Sequence, residues 1–126
     1  MKKMLLFSAS LLFMGNLAFS QGFRNMEPEE RAKRDTEQLK SQLGLTDNQS
    51  EIAYEINLKN AEEMQKVFGS ANGNRELIRG NMQKLRQKRD SSYQVILTDY
   101  QFEQYQKFME ERMQQRRRQF QGGGNQ

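Results

Sequence analysis

The 126-residue sequence contains no cysteine, no histidine and no tryptophan, and only one proline. Without thiols or imidazoles it has no disulfides, no thiol nucleophile, no His-based proton relay and none of the common zinc sites. Acidic pairs such as Glu62/Glu63 and Glu110/Glu111 are adjacent in sequence, so they do not face one another on a helix and cannot act as a paired acid and base. No glycine-rich strand–turn–helix pattern suggests a phosphate loop. No catalytic residue, metal ligand or cofactor site is expected, and the chain does not read as an enzyme.

Long apolar runs are confined to the first twenty residues, MKKMLLFSASLLFMGNLAFS. Lys2 and Lys3 precede an uncharged stretch from Met4 to Phe19, and Ala18 and Ser20 put small residues before Gln21. That is the pattern of a secretory signal peptide cleaved after Ser20. The apolar stretch is short of the roughly 20 residues that a spanning helix needs. The expectation is an exported, periplasmic protein.

Without residues 1–20 the balance is 18 Lys+Arg against 16 Asp+Glu. That gives no general pull toward nucleic acid, and Arg116-Arg117-Arg118 is too small a footprint to supply one. The remaining 106 residues hold 31 hydrophobic ones, few for a self-sufficient core. A homodimer burying helix faces between chains is therefore expected.

Residues 21–120 read as an all-α domain of four helices. Pro28 among Glu27, Glu29 and Glu30 suits a helix start. Ala32, Thr36, Leu39 and Leu43 then form one stripe that Gly44 ends. A second helix is predicted over about Asp47–Phe68, with Ile52, Ala53, Ile56, Met64 and Val67 on its apolar face. Gly69-Ser70-Ala71-Asn72-Gly73-Asn74 reads as a loop, and a third helix follows over about Arg75–Ile96, its face set by Ile78, Met82, Leu85 and Ile96. A fourth, about Asp99–Phe120, carries Phe102, Tyr105, Met109, Met113 and Phe120. Residues 121–126 read as a flexible tail.

One word occurs twice. Leu45-Thr46-Asp47-Asn48-Gln49 and Leu97-Thr98-Asp99-Tyr100-Gln101 lie 52 residues apart. Physically the word starts a helix. Thr46 and Thr98 are N-caps, Gln49 and Gln101 at N3 can reach back to complete a capping box, and Asp47 and Asp99 favour the positive end of the helix dipole. Leu97 can also staple onto Phe102, a contact the first copy lacks because it has Ser50 there.

This doubled Leu-Thr-x-x-Gln word, behind a leader and within four helices, resembles the Spy/CpxP group of periplasmic proteins. The Glu27–Arg34 opening and the Gly-rich tail are similar to its small Bacteroidetes-type variants. The resemblance implies a cradle-like antiparallel dimer that holds unfolding client proteins without ATP during envelope stress. The alternative it implies is a regulator that docks on a membrane sensor kinase. Metal-responsive members use His and Cys, which this chain lacks. Arg75, Arg79, Met82, Arg86, Arg89 and Tyr93 share one sector of the third helix. Basic residues beside Met and Tyr would suit a client surface; equally, they would suit a solvated face whose stems cover the core edge.

Overall fold

The computed structural model describes residues 26–123, with side chains through Gln119. The expected leader over 1–20, the side chain of Phe120 and residues 124–126 of the expected tail lie outside the described residues. The fold is all-α, with no strand among the described residues. Its helices are α1 (Pro28–Leu43), α2 (Asp47–Ser70), α3 (Arg75–Ile96) and α4 (Asp99–Gly123). Two helices outrun the ends that the sequence suggests: α2 continues through Gly69 to Ser70 rather than stopping at Phe68, and α4 runs to Gly123, past Phe120.

Each boundary has a local cause. Pro28 opens α1, with Glu29 and Glu30 in its first turn, and Gly44 ends it in the left-handed region at φ 64°. Any side chain would be strained there. The N–H groups of Gly44 and Leu45 both close onto Lys40 O, at 3.0 and 3.3 Å. Between α2 and α3, Asn72 and Gly73 take positive φ, and the Asn74 side chain accepts from Leu77 N at 3.2 Å to start α3. Leu97 then extends the chain, its N–H still bonded to Tyr93 O at 3.0 Å.

Consecutive helices run antiparallel, and α4 returns to touch both α1 and α3. Small residues face the α1–α2 seam, where Ala32, Ala53 and Ala61 are buried and let the backbones approach closely. The core gathers toward the end of the molecule that carries both motifs. Leu39, Leu43, Leu45, Ala53, Tyr93, Leu97 and Tyr105 form it, with Ile56, Ile96, Phe102, Phe108 and Met109 packed around. Leu97 and Phe102 thus join one cluster, as a staple requires.

Two details depart from the helical spacing. Ile52 is exposed, and the buried line of α2 is instead Ala53, Asn57 and Ala61. Tyr93, expected on an accessible surface, is fully buried at 0% exposure. Its ring stacks on Tyr105 of α4 with centroids 4.6 Å apart, an arrangement that adds about 1 kcal/mol to the area buried.

A chain of polar side chains runs through this interior. The Thr36 hydroxyl donates to Ala32 O at 2.7 Å. Asn57 Nδ2 donates to Thr36 Oγ1 at 3.0 Å, and Tyr93 OH donates to Asn57 Oδ1 at 2.7 Å. Helices α1, α2 and α3 are thereby tied at one level. Every member is satisfied, the condition under which a buried polar network stabilises a core.

Candidate functional site

The two sequence words meet in space, and each letter has a physical role. Leu45 and Leu97 are core anchors. Thr46 Oγ1 accepts from Gln49 N, and Thr98 Oγ1 from Gln101 N, each at 3.1 Å. In return Gln49 Oε1 accepts from Thr46 N and Gln101 Oε1 from Thr98 N, each at 3.0 Å. Both capping boxes are complete.

The glutamines do more than cap. Gln49 Nε2 donates to Gln101 Oε1 at 2.7 Å, and Gln101 Nε2 donates to Gln49 Oε1 at 3.2 Å. The remaining amide donors reach Ile96 O at 3.1 Å and Leu43 O at 3.4 Å, the last residues of α3 and α1. Each glutamine therefore serves the start of its own helix and the end of the helix that leads into the other motif. Four helix ends are joined in one clasp. Its chemistry is structural, since every polar atom of the pair is consumed internally.

The arginine sector of α3 divides along its length. Arg75, Arg79 and Arg86 are exposed and Met82 is half-buried. Arg86 Nη1 lies 4.0 Å from Met113 Sδ of α4. Further along, the Arg89 side chain is only 18% exposed and pairs with Asp90 at 3.3 Å. Tyr93, buried among core residues, is withdrawn from the client-facing set that the wheel suggests. Helix α4 explains the split: it covers the C-terminal half of the stripe with Tyr105, whose hydroxyl donates to Asp90 Oδ1 at 2.8 Å.

Burial raises both core phenols above the ordinary tyrosine range. For Tyr93 the Asn57 bond opposes the rise. For Tyr105 the Arg89 charge opposes it, and Asp90 adds to it. Neither has the depressed pKa of an activated group.

Two open grooves flank the helices. One of about 210 Å³ lies between α2 and α3, lined by Ile56, Asn60 and Leu85 with Lys59, Lys88 and Arg89 at its edges. Across it Lys88 pairs with Glu63 at 3.3 Å. The other lies between α1 and α4, where Arg112 sits 5.5 Å over the Phe108 ring. Among the described residues, no group of His, Cys, Asp or Glu could hold a metal ion, and no helix is long and apolar enough to cross a membrane.

Sequence reasoning missed Asn57, Asp90 and the mutual contact of the two glutamines. Asn57 was visible only as a polar residue amid an apolar face. Asp90 gave no pattern signal. The glutamine contact depends on how the two halves dock.

Compared with known proteins, the chain matches a family described as "Domain of unknown function (DUF4890)" over residues 19–105. No curated protein and no solved structure matches it.

Proposed function

The chain belongs to the DUF4890 family, and from that premise we propose that it is an exported, ATP-independent holdase that binds unfolding polypeptides. The observation that carries this reading is the surface at the α2–α3 end. Phe68 and Leu77 are 56% and 49% exposed, in the same stretch as the exposed Arg75 and Arg79. Apolar side chains left in water beside guanidinium groups suit a partner that is itself partly unfolded. Charge attracts it from a distance and apolar contact retains it. Met82 continues the surface along α3 with a side chain that adapts to varied partners.

The leader-like residues 1–20 and the doubled Leu-Thr-x-x-Gln word support placing this activity in the periplasm. Assembly is part of the same proposal. Ile52, Val95 and Tyr100 are 43%, 84% and 71% exposed, and all lie within a few residues of the motifs. A second copy covering them would supply the burial that this small core lacks.

The test is light scattering from an aggregating client, with purified protein added at stoichiometric ratio and no nucleotide. Suppression is expected. Unchanged aggregation, together with a constitutive envelope-stress response in a deletion strain, would instead favour docking on a membrane sensor.

A further inference from the structure

Helix register brings Arg31 of α1, Arg86 of α3 and Arg112 and Arg116 of α4 to one end of the bundle, near the start of α1. Asp35 of α1 pairs with Arg112 of α4 at 3.6 Å. The two helices run antiparallel, so Arg31, one turn before Asp35, comes alongside Arg116, one turn beyond Arg112. Arg86 enters from α3, its Nη1 4.0 Å from the sulfur of Met113, next to Arg112. Asp35 is the single carboxylate bonded to this set; among the described residues none lies within pairing distance of Arg31, Arg86 or Arg116. Three uncompensated positive charges are held together by helix geometry.

We propose that Arg31, Arg86, Arg112 and Arg116 form a binding site for a phosphoryl group. A guanidinium presents a planar fork of donors. A phosphate monoester carries close to two negative charges and three strong acceptor oxygens, so forks arriving from three helices can share it. A carboxylate, with one charge and two oxygens, leaves most of the cluster uncompensated. The field at Arg116 is consistent with this geometry: partial desolvation lowers its pKa, as do Arg112, Arg31 and Arg86, and only Asp35 opposes. Mutual repulsion in the free protein is the state that a bound dianion relieves. The chemistry is shared by inorganic phosphate and by a phosphomonoester lipid headgroup.

The experiment titrates the protein with sodium phosphate against sodium chloride at matched ionic strength, following ³¹P line width and melting temperature. A parallel arm sediments it with phosphatidylcholine vesicles with and without phosphatidic acid. Phosphate should broaden its resonance and raise Tm beyond the chloride control. Binding in the vesicle arm only when phosphatidic acid is present would identify a headgroup as the source; binding to phosphate alone would identify the free ion. Arg116→Gln should weaken either interaction about tenfold, the loss of one charge-assisted contact, while raising Tm in chloride because repulsion is relieved. Arg31→Gln should behave alike. The proposal is overturned if neither probe binds, if both variants bind as the parent does, or if polyglutamate competes as well as phosphate at equal charge.

Discussion

Gln49 and Gln101, 52 residues apart, exchange two amide hydrogen bonds of 2.7 and 3.2 Å. A word that reads as two separate helix starts is therefore one structural unit. Because Gln49 also holds Ile96 O and Gln101 also holds Leu43 O, the pair fixes how the α1–α2 hairpin meets the α3–α4 hairpin.

That relationship separates glutamine from glutamate. In an isolated capping box either residue serves at N3. Here the amide N–H groups donate to oxygens, so Gln49→Glu should place a carboxylate against Ile96 O and Gln101 Oε1. A loss of about 2–3 kcal/mol is expected, at least as large as for Gln49→Ala. In a denaturant double-mutant cycle, Gln49→Ala and Gln101→Ala should couple by about 1 kcal/mol. Strict additivity would show that the two boxes act independently.

The buried chain through Asn57 offers a second cycle. Asn57→Leu removes the acceptor of Tyr93 OH and the donor to Thr36, and should cost about 2–3 kcal/mol. Adding Tyr93→Phe should cost less than it does in the parent, because the phenol has by then lost its short bond to Asn57 and keeps only Ala53 O at 3.4 Å. Urea unfolding of the four proteins checks this.

Ser50 marks a place where the first motif can be improved. Its hydroxyl is buried and has no hydrogen-bond partner. Ser50→Ala removes an unsatisfied group and raises helix propensity, so a gain of about 1 kcal/mol is expected. The chemical-denaturation midpoint should rise with no change in slope.

Tyr93 and Tyr105 set the alkaline limit. Their folded pKa values lie above the ordinary value of 10.0, chiefly through burial, so the unfolded chain loses these protons first. Their contribution to stability is whole below about pH 10 and falls as pH rises toward the folded values, by about 1.4 kcal/mol per pH unit for each phenol. Unfolding curves at several pH values above 10 should show that slope, and Tyr93→Phe should remove about half of it.

Much of the fold was legible because its signals are local. Pro28, Gly44, Thr46, Asn74 and Thr98 act within a turn of the chain, and they set the helix boundaries that the sequence suggests. The surface was less legible because it depends on docking. A helical wheel puts Arg75, Arg79, Met82, Arg86, Arg89 and Tyr93 in one sector, but α4 covers only the far end of that stripe. Tyr93 and Arg89 are drawn into the packed half while Arg75 and Arg79 stay in water. Asn57 is the complementary case, polar by composition and buried because Thr36 and Tyr93 complete its bonding. Ile52 leaves the predicted face while Ala53 keeps its place on it for a related reason: the close α1–α2 seam admits alanine better than isoleucine.

The most direct test of the functional account is client aggregation at low and high salt with Arg75, Arg79 and Arg86 all replaced by Gln. Arg89 stays in place because it is paired with Asp90. Gln keeps helix propensity and much of the stem, so the fold should survive. With a client of net negative charge, the triple variant should protect less well than the parent at low salt. The two should converge near 1 M salt, where screening shortens the reach of exposed charges to about 3 Å. Equal protection by variant and parent at low salt would show that this face only meets solvent, and would contradict the account.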